Sequence, residues 1–133
     1  MEKRFGLPKS ERLKSRKQID GLFAQKKGFA VFPIRVMYQF APASEQPSLQ
    51  IGVSASKRQF KKAVDRNRIK RLLREAYRLQ KEELAMQLKG QDKRGIVFFL
   101  YTDKALPSFE VVKATMAKCL KKLNGIARSE NPS

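Results

Sequence analysis

The stretch from Lys57 to Arg78 constrains the fold more than any other part of the chain. It reads Lys57-Arg58-Gln59-Phe60-Lys61-Lys62-Ala63-Val64-Asp65-Arg66-Asn67-Arg68-Ile69-Lys70-Arg71-Leu72-Leu73-Arg74-Glu75-Ala76-Tyr77-Arg78. On a helical wheel of roughly 100° per residue, with Arg66 at zero, Lys70, Arg74, Asn67, Arg78 and Arg71 follow between ~40° and ~140°. Ile69, Leu72, Leu73 and Ala76 fall together between about 240° and 340°. Arg68 stands at the flank, near ~200°. Such a segment has one apolar face that must be covered and an opposite basic face that must not be. It predicts a long helix from about 59 to 88, laid on a core and ended by Lys89-Gly90.

The rest of the chain supplies a partner layer. Ser15-Arg16-Lys17-Gln18 has capping-box spacing, and Ile19, Leu22 and Phe23 follow at helical spacing, which predicts a helix near 16–26 ended by Gly28. From Phe32 onward the even positions Ile34, Val36, Tyr38 and Phe40 alternate with smaller or polar residues, which predicts a strand over 29–40. Pro33 marks an edge or a strand start. After the loop Ala41–Pro47, Leu49, Ile51 and Val53 alternate again. The continuous run Ile96–Tyr101 predicts a central strand covered on both faces. Pro107-Ser108 opens a last helix with the stripe Val112, Met116, Cys119, Leu120 and Leu123, closed by Asn124-Gly125. The order α-β-β-α-β-α implies an α+β sandwich with a mixed sheet, in which three strands are clearly read. If the strands on either side of the long helix are parallel neighbours, a right-handed crossover is the default. The chain reads as a single domain over 1–133, with flexible ends at 1–9 and 126–133.

Charge then narrows the function. Thirty Lys and Arg against 12 Asp and Glu leave +18, and residues 54–78 alone carry +8. An excess of this size on a compact domain anticipates a polyanion. The chain has no His and one Cys. Imidazole general bases, His metal ligands, Cys-His pairs and intrachain disulfides are therefore excluded. The start Met1–Lys9 has no apolar stretch behind it and does not read as a secretory signal. The run Ile96–Tyr101 is far shorter than the about 20 residues needed to cross a bilayer. The expectation is a cytoplasmic protein without a membrane partner, monomeric when free.

Guanidinium groups grip phosphates bidentately, Lys adds point charge, and rows one helical turn apart repeat at about 5–6 Å. An ordinary solvated face would alternate in sign. Here Asp65 and Glu75 are the only acids between residues 54 and 78. Asn67 adds an amide able to donate and accept at a base edge, a ribose hydroxyl or a local backbone group. Single strands also need apolar or aromatic platforms flanked by cations. Phe23, Phe32 and Tyr38 lie among Lys14, Arg16, Lys17, Lys26, Lys27 and Arg35. Phe23 and Phe32 read more readily as core residues than as platforms.

Lys57-Arg58 followed by Ala63-Val64-x-Arg66-Asn67-Arg68-x-Lys70-Arg71-x-x-Arg74-Glu75 resembles the Arg-Asn-Arg signature of the bacterial ribonuclease P protein family. The similarity extends from about residue 9 to 123, through Arg12-Leu13-Lys14, the helix ending in Phe23, the strand with Tyr38 and the Gly52-Val53-Ser54 approach. It implies a subunit that binds ribonuclease P RNA and helps it, with Mg²⁺, remove the 5′ leader of precursor tRNA. The RNA is then the catalyst, and the protein holds no catalytic residue and no assigned metal ligand. By the same resemblance Arg66, Asn67, Arg68, Lys70, Arg71 and Arg74 face RNA, with Lys57 and Arg58 ahead of them. Ile19, Phe23 and Tyr38 match positions lining a leader cleft. A mixed four-stranded sheet in a ribosomal-protein-like domain is implied, with a left-handed crossover against the default. There are two departures: Ile19 replaces an aromatic, and Gln59-Phe60-Lys61-Lys62 is one residue longer than the usual spacer.

Two other classes fit parts of the pattern. A ribosomal or other structural RNA-binding protein, or a DNA-binding regulator, shares the charge and the basic helix. A helix-turn-helix reader, however, would set short helices around the basic one, not strands. A metal-dependent nuclease needs clustered carboxylates, whereas Asp92, Asp103 and Glu110 sit in no common motif.

Overall fold

The computed structural model describes residues 11–13, 16–25, 27–43 and 48–129. Its elements are α1 Arg16–Gln25, β1 Gly28–Val31, β2 Ile34–Pro42, β3 Ser48–Ala55, α2 Ala63–Gln80, α3 Glu82–Gly90, β4 Lys93–Tyr101 and α4 Phe109–Ser129. The sheet order is β1-β2-β4-β3. β1 pairs with β2 and β2 with β4 in antiparallel fashion, while β3 and β4 are parallel. The expected α+β class with a mixed sheet is what forms.

Both faces of the sheet are covered, because β4 is apolar on both. Val97, Phe99 and Tyr101 point to the larger core, with Ile69, Leu73, Tyr77, Leu84 and Leu88 from α2 and α3 and the Val112–Leu123 stripe of α4. Ile96 and Phe98 point to a smaller cluster with Met37, Leu13 and Leu22, beneath α1. The continuous run read as a doubly covered strand is therefore the central strand β4.

Three expected elements differ. The strand over 29–40 is a hairpin, turned at Phe32-Pro33, so Pro33 lies before β2 and the fourth strand is β1. Gly28 admits the close pass of β1 over β2, since a Cβ there would lie 2.3 Å from the Val36 carbonyl oxygen. The helix over 59–88 is two helices that break at Lys81. Carried on along one straight wheel, Leu84 and Leu88 would fall near ~0° and ~40°, beside Arg66 and Lys70 on the basic face. The break instead buries both. The last helix does not stop at Asn124-Gly125. It continues to Ser129 because Asn124 and Ala127 remain on its buried face. The buried Lys93 ammonium also donates to the Ala127 carbonyl at 3.0 Å. Residues 126–129 are thus helical. The expected free ends at 1–9 and 130–133, and Ser15 of the capping spacing, lie outside the described residues.

Ser108 does open α4, its hydroxyl accepting the Val111 N–H at 3.2 Å. The α3–β4 turn places Asp92 at φ 55°, a left-handed conformation that Asp tolerates better than most residues.

The hand of the β3–α2–α3–β4 crossover follows from residue chirality. On an ascending strand, an L residue whose side chain faces the viewer directs its own N–H and C=O to the right. Ile51 faces the α2–α4 layer, and its carbonyl accepts the Leu13 N–H at 2.8 Å. Seen from those helices, the Leu13 segment therefore lies right of β3, and β4 lies left. A chain that rises on β3, crosses in front and rises again to the left makes a left-handed turn. The general right-handed default fails here, and the hand implied by the family resemblance holds.

Candidate nucleic-acid interface

Residues 56–62 shape the approach to the basic helix. The Ser56 hydroxyl accepts the N–H groups of Arg58 at 3.1 Å and Gln59 at 3.4 Å. Its carbonyl accepts the Phe60 N–H at 2.9 Å. Phe60 is buried, its ring 6.0 Å from that of Tyr101. The spacer thus opens with a hydrogen-bonded turn, and α2 begins only at Ala63. Lys57, Arg58, Lys61 and Lys62 are all exposed around this turn.

The basic strip of α2 divides into four by geometry. Asn67, Arg68 and Arg71 are exposed and Lys70 is half-buried, while Ile69, Leu73, Ala76 and Tyr77 face the core. Arg66 is turned back. One of its terminal nitrogens donates to the Phe60 carbonyl at 2.8 Å and to the Lys61 carbonyl at 2.9 Å. It fastens the preceding turn rather than standing in the outward row. Arg78 donates twice to Glu75, at 3.2 and 2.7 Å. That hydrogen bonding raises its pKa above the ordinary value.

Arg74 points elsewhere again, over the edge of β3. It shares a cavity of about 230 Å³ with Arg12, Ile19 and Phe98. Burial, and then the positive charge of Arg12, lower its pKa from the ordinary guanidinium value. Arg12 bridges to Ile51 along the free edge of β3, and Leu13 is the donor to Ile51 there.

The other face of the sheet carries the cleft residues, with one exception. Ile19 is half-buried on the smaller cluster. Phe23 is 43% exposed and packs edge-on against Phe98, ring centroids 5.5 Å apart. Phe23 also borders a second cavity of about 490 Å³, with Ala30, Arg35, Met37 and Leu100. Tyr38 does not join them. It lies on the opposite face, 6.2 Å from the Phe29 ring and 5.5 Å from Phe40, packed against the larger core. The reason is the two-residue period of β2: Val36, Tyr38 and Phe40 share one side, Arg35 and Met37 the other. Phe32, at 72% exposure, sits at the hairpin turn. Lys14 and Lys26, expected as flanking cations, lie outside the described residues.

Reasoning from sequence did not assign Arg12, Met37 or Phe98 to the site. Strand parity flags Met37 and Phe98 once the side facing α1 is known. Arg12 carries no periodic signal, because its position comes from pairing with β3. Among the described residues no group of three or more His, Cys, Asp or Glu side chains could hold a metal ion. No helix there is long and apolar enough to cross a membrane.

The family model described as Ribonuclease P matches residues 7–124. The ribonuclease P protein component of Porphyromonas gingivalis is 40% identical over 121 residues, spanning 91% of this chain and 88% of that protein. That of Chlorobaculum tepidum is 36% identical over 130 residues, spanning 88% and 82%. Among solved structures, the RNase P protein of Staphylococcus aureus superposes with a TM-score of 0.62 at 22% identity, covering 86% of this chain and 96% of that one. The Thermotoga maritima RNase P protein gives 0.64 at 22%, covering 84% and 96%. The basic helix after a parallel edge strand and the left-handed crossover thus sit in a matching sequence and a matching fold, and the chain belongs to the ribonuclease P protein family, as a protein component of the bacterial type.

Proposed function

We propose that the chain works in the cytoplasm by holding two RNAs at once: ribonuclease P RNA on the outward row of α2, and the 5′ leader of precursor tRNA in the cleft under α1. The observation that carries this is the division of the basic strip. Asn67, Arg68, Lys70 and Arg71, with Lys57, Arg58, Lys61 and Lys62 around the preceding turn, face away from the core. Phe23, Ile19 and Arg35 border cavities on the α1 side of the sheet. The first group suits a folded RNA backbone, because it is cationic and rigidly spaced. The second suits a single strand, because apolar surfaces there alternate with guanidinium groups.

In this reading the chain binds and orients. It raises the affinity for leader-bearing substrate, and leaves the cleavage of the phosphodiester to the RNA. Mg²⁺ would serve that cleavage by stabilising negative charge on phosphate oxygens. The described residues do not fit a protein-held ion, since they offer no cluster of carboxylates. The metal is therefore assigned to the RNA, and no step is routed through this chain.

The test is reconstitution with ribonuclease P RNA and a precursor tRNA at low Mg²⁺, with and without the protein. The protein is expected to increase substrate affinity and cleavage. It should bind the RNA with an affinity that falls by roughly 0.7–0.9 log units per phosphate contact for each log unit of salt. No stimulation, or a flat salt response, refutes the reading. Cleavage by the protein with no RNA added refutes it too.

A further inference from the structure

Arg12 and Arg74 come from different elements and meet in one cavity of about 230 Å³ on the α1 side of the β3 edge. Neither is in an ion pair with a described residue. The Arg12 Nε–H is buried and has no hydrogen-bond partner among the described residues. Two guanidinium groups facing one space repel each other, and a buried donor left unpaired is costly. An anion between them would answer both, and a planar fork on each side matches the two free oxygens of a phosphodiester.

Both jaws are held in place. Arg12 is fixed by its bridge to Ile51 and the Leu13-to-Ile51 hydrogen bond. The residue before it, Glu11, is paired with Lys81 beyond the end of α2. Arg74 projects from α2 one turn after Lys70 and Arg71. Ile19 and the Phe98 ring supply an apolar wall beside the two cations. Cation pair and apolar wall together are the surroundings of one phosphate with its base in a single strand.

We propose that Arg12 and Arg74 form a phosphate-binding clamp at the junction of the leader cleft and the basic helix, gripping one RNA phosphodiester. The proposal rests on the reading of function above and adds to it Arg12 as a binding residue. It also moves Arg74 from the outward row to the cleft. The phosphate belongs either to the precursor tRNA leader or to the catalytic RNA.

The experiment uses the holoenzyme reconstituted with ribonuclease P RNA, carrying the wild-type protein, Arg12→Gln, Arg74→Gln or Arg74→Lys. Three affinities are measured across a salt series: for the RNA, for a precursor tRNA with its leader, and for mature tRNA. Each Gln variant is expected to lose about tenfold or more in one of the first two. The salt slope of that step should also become shallower by about 0.7. Arg74→Lys should lose less, since it keeps the charge and loses only the fork. A loss confined to leader-bearing tRNA assigns the phosphate to the leader, and a loss in RNA assembly assigns it to the catalytic RNA. The free Gln variants should melt at or above the wild-type temperature, because a repulsion has been removed. Unchanged affinities and slopes, or lower melting temperatures without loss of affinity, overturn the clamp. A wild-type protein that fails to assemble with the RNA refutes the reading of function and the clamp with it.

Discussion

Replacing Arg66 by Ala should destabilise the free protein, whereas replacing Arg68 by Ala should not. On sequence grounds the two residues are equivalent members of an RNA-facing pair. In the structure, Arg66 donates to the carbonyls of Phe60 and Lys61 at 2.8 and 2.9 Å, and Arg68 is exposed. Hydrogen bonds from a charged donor contribute roughly 1.5–3 kcal/mol each when well shielded. One of these is partly buried and the other is at the surface, so the pair together contributes about 1–2 kcal/mol. For a chain of 133 residues, 1 kcal/mol moves the melting temperature by about 3–5 °C. Arg66→Ala should therefore melt about 3–10 °C lower. Arg68→Ala should stay within about 2 °C, as exposed positions change stability by roughly 0.5 kcal/mol or less. Arg66→Lys, which keeps a single donor group, should fall between wild type and Arg66→Ala. Thermal unfolding of the free proteins, followed by circular dichroism, reads the stability. Filter binding to ribonuclease P RNA reads affinity, which both Ala variants should lose: Arg68 through a phosphate contact, Arg66 through a misplaced turn. If Arg66→Ala melts with wild type, the anchoring of the Phe60–Lys61 turn is not what Arg66 does.

Gly52→Ala should destabilise by about 1–3 kcal/mol in urea titration, the range for overpacking a fitted site, because its Cβ would lie 2.8 Å from the Phe98 ring. Wild-type stability in that variant would mean the ring moves freely, and would remove Phe98 as a fixed cleft wall. The Tyr77 hydroxyl is buried and unpartnered among the described residues, and burial raises its pKa. Tyr77→Phe should thus be neutral or stabilising by up to about 1 kcal/mol, and a clear loss in the same titration would reveal a partner for the hydroxyl. Burial pushes the Cys119 thiol from 9.0 up to about 12 and the Tyr101 phenol from 10.0 up to about 12. In that window the unfolded chain releases protons that the folded chain retains, so stability should fall as pH rises from about 9 to about 12. Cys119→Ala should lessen the fall seen in unfolding measured against pH, and an unchanged profile would contradict the assignment. Native Cys119 should likewise resist alkylation at pH 8 until the protein unfolds, since it is fully buried and the thiolate is the reactive form.

The elements that were legible in the sequence are those whose periodicity alone states which face is covered. α2 has apolar and basic residues on opposite sides of one wheel, and Ile69, Leu73 and Ala76 pack where that wheel places them. β4 is apolar at every position from Ile96 to Tyr101, and two clusters meet on it. The failures are of another kind. The hairpin at Phe32-Pro33 was concealed because the apolar residues on its two sides run on without a polar gap. The break at Lys81 leaves no Pro or Gly signal. It appears only as a drift of Leu84 and Leu88 around the wheel. Family position groups Tyr38 with Phe23, but strand parity sets it on the other face.

By itself the sequence determined that this chain is a basic α+β domain with a cationic helix row, and that no imidazole chemistry is available to it. Composition and helical period are local quantities, and folding does not alter them. Only the tertiary structure decided which cations remain outward. Arg66, Arg74 and Arg78 belong to one row in sequence, yet one binds backbone carbonyls, one enters a cavity with Arg12, and one is paired with Glu75. The structure also decided the left-handed crossover, and a strand order that leaves β3 at the sheet edge, where the Arg12 segment pairs. The physical reason is that a long side chain takes its partner from whatever surface folding brings within its reach. For Arg12 and Arg74 that surface is built from segments about sixty residues apart in the chain, a proximity that no local pattern encodes.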